Sequence, residues 1–309
     1  MTPLGTAVDE YLALRRGLGF SLRGPAAMLR QFVAFLERAG APYITRELAL
    51  RWAQQPANVQ PATWASRLSA VRRFAQFWSA SDPRTEVPPL GLLPYRYRRT
   101  PPHIYTAGEI RRLIGAAQQL PSATGLRPAT YATLLGLLAV TGLRISEALA
   151  LNRDDVDWAE AVLTIRRTKF GKSRLVPVHP STTRALARYA RRRDRVYPTP
   201  KTESVFVSER GARLTQWTVR WTFNRLSRRI GLRGPADRRG PRLHDFRHRL
   251  AVTTLLRWYR AGMDVERHLP ALSTYLGHGH VADTYWYVSA VPELLRLAAA
   301  RLEARGGRS

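Results

Sequence analysis

Apolar residues in the first ~85 positions recur every three or four residues, the spacing that lines one face of an α-helix. Tyr11, Leu12, Leu14 and Leu18 open one amphipathic segment, and Met28, Leu29, Phe32, Phe35 and Leu36 make a second. Thr45-Arg-Glu-Leu has the form of a helix start. Trp64, Leu68, Val71, Phe74 and Trp78 form a long stripe that reads as core rather than as a binding face. The pattern predicts a small all-α domain over residues 1–88. It breaks in the proline-rich stretch 81–103, which predicts a linker placed at 89–103. Inside it, Arg96, Arg98 and Arg99 alternate with tyrosines. That run suits either a phosphate backbone or a solvated hinge.

Thr106-Ala-Gly-Glu109 is a capping-box pattern and opens a second domain, 104–309. Helices are expected at about 107–119 and 128–140, and from Ile145. Ala161–Arg167 and Ser173–Val178 read as paired strands, with Lys169-Phe170-Gly171-Lys172 as their turn, and Ser204–Ser208 as a third strand. Helices return at about 180–195, 215–230, 244–262, 264–276 and 280–288. A last amphipathic helix at 291–304 carries Leu294, Leu295, Leu297 and Leu302. The predicted fold is mainly α with one small antiparallel β-sheet.

Charge changes the picture. The 309 residues carry 50 Lys+Arg against 22 Asp+Glu, a net charge of +28. Both halves are basic, which points to a polyanion and by default to nucleic acid. Only three of the basic residues are lysines, Lys169, Lys172 and Lys201. Where Arg is the default cation, a retained Lys suits a task Arg cannot do, such as giving up a proton. Zero Cys excludes a disulfide scaffold, Cys-ligated zinc and thiol catalysis, and fits a reducing compartment. No apolar run approaches ~18 residues, and the start does not read as a signal peptide. The expectation is a soluble, cytoplasmic, nucleoid-associated protein with no membrane contact.

Phe170-Gly171-Lys172-Ser173 imitates a phosphate-binding loop, but Arg166 stands where the earlier Gly is required. His244 and His248, with Asp245 between them, imitate a zinc-hydrolase helix, but Arg247 and a basic neighbourhood repel a dication. His278-Gly279-His280 is a similarly weak metal candidate. Phosphoryl transfer without metal is the alternative. It needs bidentate Arg around the equatorial oxygens, a proton donor for the leaving oxygen, and a covalent nucleophile. Without Cys, that nucleophile is Ser, Thr or Tyr.

Thr141-Gly-Leu-Arg144-Ile-Ser-Glu147-Ala-Leu-Ala-Leu151 resembles the first arginine box of the tyrosine recombinases, the phage-integrase family. Residues 166–178 resemble that family's lysine hairpin, Leu243-His244-Asp-Phe-Arg247-His248 its His-x-x-Arg box, and Leu276-Gly-His278 its Leu-Gly-His box. Tyr287 stands nine residues after His278, the family's spacing for its nucleophile. Each box is weak alone; five in the family order form a strong signal. His280 and Arg249 depart from the pattern without removing a catalytic group.

The resemblance implies a helical core-binding domain followed by an integrase-type catalytic domain. It implies that Arg144 and Arg247 hold the scissile phosphate, Lys169 is the general acid, His244 assists proton transfer and His278 hydrogen-bonds the phosphate. Glu147 would orient the site, and Lys172 and Arg174 would contact DNA. Tyr287 would form a 3′-phosphotyrosyl link. Tyr285 lies about 200° around a helix from Tyr287, so only one of them can face the phosphate. The implied enzyme is a site-specific recombinase, integrase or transposase of a mobile element, using no metal, ATP or other cofactor. Its partner would be double-stranded DNA, bound by a homotetramer on two sites with helix 291–304 docked on a neighbouring subunit. Other recombinases or helper proteins are further candidate partners. The rivals are a type IB topoisomerase-like nicking-closing enzyme, a catalytically inactive DNA-binding regulator and the zinc hydrolase.

The charge alone generates a test. With several phosphates neutralised, affinity for duplex DNA is expected to fall about a thousandfold or more between about 50 and 200 mM salt. A nearly flat dependence in a fluorescence-anisotropy titration would rule out the phosphate clamp.

Overall fold

A computed structural model describes residues 3–95, 101–166, 173–237, 240–290 and 292–306. The chain divides into two compact units, Met1–Thr100 and Pro101–Ser309. The first is built from α1 (Pro3–Gly17), α2 (Arg23–Arg38), α3 (Arg46–Gln54) and α4 (Pro61–Trp78). The Thr45 hydroxyl starts α3 by accepting the Leu48 N–H at 3.2 Å. The apolar stripes of the helices close around Leu12, Phe32, Leu36, Trp52 and Phe74. Trp52 is held between Phe32, at 5.2 Å between ring centres, and the Arg67 guanidinium, 3.7 Å from its ring. In the stripe of α4, Leu68, Val71 and Phe74 are core, while Trp64 and Trp78 are half-buried. Part of the proline-rich stretch is fastened to this unit. Val87 and Leu93 pack on its core, and Glu86 accepts the Arg46 N–H at 2.8 Å.

The second unit begins with α5 (Ala107–Gln118), closed by the expected capping box between Thr106 and Glu109. Then follow α6 (Leu126–Thr141), α7 (Ile145–Ala150) and a 3₁₀ turn (Arg153–Asp155). Strands β1 (Val156–Asp157), β2 (Val162–Ile165) and β3 (Arg174–Pro177) come next. They are followed by α8 (Pro180–Val196), α9 (Gln216–Arg229), α10 (Asp245–Arg260), α11 (Val265–Leu276), α12 (Ala282–Ala290) and α13 (Pro292–Gly306). Leu134, Leu135, Leu137 and Leu138 make α6 apolar nearly all round, and it packs on α5, α8 and α10. The sheet is antiparallel in the order β1-β2-β3, with Val156 opposite Leu163 and Leu163 opposite Val176.

One expectation needs correction. Ser204–Ser208 is not a sheet strand. Its Val205, Phe206 and Val207 are buried in the main core, but the segment makes only the single bridges Asn152–Ser204 and Val207–Arg213. The chain beside it turns into the 3₁₀ helix after Asn152, so a ladder has no room to grow. The third strand is instead β1, whose two residues are too few to show a period. The last helix, α13, packs on α10 and α12 of its own chain. Leu294 is fully buried there, and Glu293 pairs with Arg260 at 2.6 Å.

The second unit has two apolar clusters. The larger surrounds α6 and includes Leu138, Phe206 and Phe246; the smaller gathers Val252, Leu255, Leu269, Leu272, Leu276, Tyr287 and Leu294. Gly142 ends α6 in the left-handed region at φ 61°, and a Cβ there would lie 2.8 Å from Leu250 Cδ2 and 3.4 Å from Arg247 Cα. Strain and crowding therefore act together. Gly142→Ala is expected to destabilise the protein by about 2 kcal/mol, read as a lower urea midpoint. An unchanged midpoint would mean that the cap is built differently.

Candidate functional site

Helix ends position this site. Gly142 closes α6, and Gly277, at φ 69°, closes α11. Both ends present carbonyls that carry negative partial charge. Arg247, in the first turn of α10, is only 1 % exposed. Its Nη1 donates to the Gly142 carbonyl at 3.1 Å, and its Nη2 to that of Leu276. Arg144, at the start of α7, donates from Nη2 to the Gly277 carbonyl at 3.0 Å and from Nη1 to Glu147 Oε1 at 2.7 Å. Glu147 is buried, and its Oε2 accepts the Arg144 backbone N–H at 3.0 Å. Burial alone would raise the Glu147 carboxyl; the bonds and charges of Arg174 and Arg144 outweigh it and hold the pKa below the usual range.

His278 follows the α11 cap, with Nδ1 2.7 Å from the hydroxyl of the buried Thr284. Its ring stacks on that of Tyr287, with centres 5.9 Å apart. His248 meets Tyr287 edge-on at 5.3 Å, and His244 meets His248 at 4.7 Å. Tyr287 is 3 % exposed and hydrogen-bonded to Arg247; Tyr285, on the same helix, is 52 % exposed. The site thus gathers Arg144, Arg247, His244, His278, Glu147 and Tyr287, and leaves Tyr285 at the surface.

Burial first, then the Arg247 charge, push His244 down to about 4. Burial and the charges of Arg247 and Arg144 do the same to His278, also to about 4. His248 falls to about 3 through burial, then through His244 and Arg242. The rings are therefore neutral at pH 7, each with one donor and one acceptor nitrogen. Burial and the neighbouring Arg144 lower Arg247 to about 10, which leaves it charged. Burial raises the Tyr287 phenol, against the opposing pull of Arg247 and Arg144. Two guanidiniums beside neutral imidazoles and a phenol make a site for an oxyanion that offers it an oxygen nucleophile.

Lys169 and Lys172, and Arg96, Arg98 and Arg99, lie outside the described residues. Arg174 is described, and its place is not at the surface. Its side chain is 8 % exposed and pairs with Glu147. Sequence reasoning missed this partnership although a signal existed. Arg174 and Val176 are two apart on β3, so they share a face, and Val176 is fully buried. Thr284, the partner of His278, carried no such signal. Asp245, read beside a zinc pair, accepts from Arg242 Nη2 at 2.9 Å. Among the described residues no three His, Cys, Asp or Glu cluster as a metal site would require. Among them also, no helix is long and apolar enough to cross a membrane.

Residues 104–293 match the phage integrase family. Over 309 residues the chain is 52% identical to "Putative integrase/recombinase y4rB" of Sinorhizobium fredii, covering 99% of this chain and 98% of the relative. It is 32% identical to tyrosine recombinase XerD of Caulobacter vibrioides, over 77% of this chain and 74% of the relative. The fold is similar to that of the Tn1549 transposon integrase solved with transposon right-end DNA. That TM-score is 0.66 at 17% identity, covering 98% of this chain and 99% of the other. The chain belongs to the phage integrase family, the tyrosine-type site-specific recombinases.

The depressed histidines set a pH dependence. The unfolded chain takes up protons near the ordinary His value of about 6.5, while folded His278 and His248 wait until about 4 and about 3. Between those values the unfolded state binds more protons, so stability falls as pH falls. His244 keeps a face in solvent, so the expectation rests on the other two. Urea midpoints from pH 7 to 4.5 are expected to fall with a slope of about one to two protons. A flat profile would show that both rings are already charged in the folded protein.

Proposed function

We propose that this recombinase cuts and rejoins DNA one strand at a time through a 3′-phosphotyrosyl link to Tyr287. The observation that carries the reading is the burial of Tyr287 between Arg247 and His278, with Tyr285 outside. Arg144 and Arg247 bind the non-bridging oxygens of the scissile phosphate, and their paired charge stabilises the phosphorane. The Tyr287 oxygen attacks phosphorus, and its proton passes towards neutral His244. The 5′ oxygen leaves with a proton from Lys169, and His278 donates a hydrogen bond to the phosphate. Reversal by another strand's 5′ hydroxyl restores the tyrosine. Bond energy stays in the phosphotyrosine, so neither ATP nor metal is needed. Lys172, with Arg96, Arg98 and Arg99, adds backbone contacts.

The helical unit, placed at 1–88, clamps DNA together with the catalytic unit, 104–309, across the linker 89–103. The working unit is a homotetramer on two sites, acting on DNA of the cytoplasmic nucleoid. The 52% identity to an integrase/recombinase over 99% of this chain supports this assignment over a relaxing enzyme. Recombination between two marked sites separates the two activities.

Tyr287→Phe is expected to keep fold and DNA binding and to abolish the covalent protein–DNA adduct. Tyr285→Phe is expected to leave adduct formation within about twofold, as befits a surface substitution. A nicked duplex carrying a site selected from a random pool, followed by denaturing electrophoresis, reads both. An adduct that persists in Tyr287→Phe and is lost in Tyr285→Phe would reassign the nucleophile. An adduct in both would end the tyrosine mechanism, and none in the wild type would favour the inactive regulator.

A further inference from the structure

Arg174 stands at the centre of a polar cluster in the second unit. Its Nη1 and Nη2 donate to Glu147 Oε1 and Oε2 at 3.1 and 2.9 Å, and its Nε donates to the Tyr275 carbonyl at 2.9 Å. The fork-to-fork pairing fixes the carboxylate in both position and plane. Glu147 in turn holds Arg144 through its side chain at 2.7 Å and its backbone N–H at 3.0 Å. The ring closes at the α11 cap, where Arg144 Nη2 meets the Gly277 carbonyl at 3.0 Å. A Cβ on Gly277 would lie 2.5 Å from Arg174 Nη1, so the cap and the guanidinium are in close contact. Three separate elements, β3, α7 and the end of α11, are joined through one side chain.

We infer that Arg174 is a positioning residue for strand cleavage, which locks Glu147 between two guanidiniums and through it aims Arg144 at the scissile phosphate. This rests on the cleavage reading above and replaces the expected DNA contact at Arg174. The argument is one of competition. A buried carboxylate offered a single arginine forms a bidentate pair with it, and that pair would consume both edges of the Arg144 fork. With Arg174 occupying one side of Glu147, Arg144 gives the carboxylate one side-chain nitrogen and keeps other donors of its five for a ligand. Arg174 itself has all three nitrogens engaged and 8 % of its side chain exposed. Reaching a DNA phosphate would require leaving a desolvated ion pair. Lysine cannot substitute, because a single ammonium cannot span both carboxylate oxygens and the Tyr275 carbonyl in one plane.

The test uses the full chain. Binding is read on a fluorescent random-sequence duplex over a range of salt. Cleavage is read as the adduct rate at saturating concentration of the nicked, pool-selected duplex. Arg174→Lys is expected to leave the salt slope at its wild-type value and to slow adduct formation about 100-fold, the scale of a small misplacement of a reacting group. Glu147→Gln is expected to do the same, and the double variant to be little slower than either single one, because both remove one device. If Arg174 instead touches DNA, the charge-removing Arg174→Met lowers the slope by about one, and the adduct rate of Arg174→Lys recovers at saturation. That outcome overturns the inference, as does a double variant slowed by the product of the two single losses. Should Arg174→Lys fail to fold, Glu147→Gln decides alone. An unchanged slope with slow cleavage supports positioning, and a steeper slope from a released Arg174 overturns it. A wild-type protein that forms no adduct sinks the cleavage reading and this inference together; a wild-type adduct with an unimpaired Arg174→Lys sinks this inference alone.

Discussion

The burial of Arg247 is the constraint on which the second unit turns. A guanidinium at 1 % exposure would be costly without partners. Its partners are the carbonyl ends of two helices, Gly142 of α6 and Leu276 of α11. Those ends carry the negative pole of the helix dipole, so the cation is satisfied without being neutralised. The arrangement works only if α6, α10 and α11 keep their relative places. Because α6 is the spine of the larger apolar cluster and α11 belongs to the smaller one, one side chain ties the clusters together. The left-handed glycines follow from the same demand, since each helix must stop where its last carbonyls can face an arginine.

The electrostatic consequence is a site kept positive on purpose. Glu147 is shared by Arg144 and Arg174, and Arg247 draws on dipoles rather than on a carboxylate. Charge therefore exceeds countercharge locally, as it does in the whole chain at +28. Burial and this excess explain the histidines: another proton on His248 or His278 would enter a desolvated and already cationic place. An anion that enters relieves the guanidiniums and makes protonation of the rings easier.

Helices and boxes were legible in the sequence because their signals are periodic or ordered. The stripe through Leu68, Val71 and Phe74, the capping box at Thr106, and the run from Arg144 to Tyr287 can all be read without coordinates. What escaped were features made by partnerships across the chain. β1 has two residues, too few for a period, and exists because Val162 and Leu163 face it. Ser204–Ser208 has strand composition but no continuous neighbour. Arg174 was expected at the DNA; only the alternation with the buried Val176 points to its inward face. The amphipathic pattern of α13 marks an apolar stripe but not whose surface covers it, and here the surface is that of α10 and α12.

The two tyrosines of α12 show how placement governs reactivity. Tyr285 is solvated and far around the helix from the arginines. Tyr287 is enclosed, and its phenol is pulled two ways: burial raises its pKa, while Arg247 and Arg144 lower it, and burial wins. The neighbouring rings, at about 4 and below, are poor bases as they stand. Deprotonation in the free protein is therefore opposed twice, by desolvation of the phenolate and by the weakness of any acceptor. A phosphodiester seated on Arg144 and Arg247 changes the second term directly, because a nearby negative charge raises an imidazole pKa. Under the proposed function the bound DNA thus helps to make the base that activates the nucleophile, and an unoccupied site holds its tyrosine protonated.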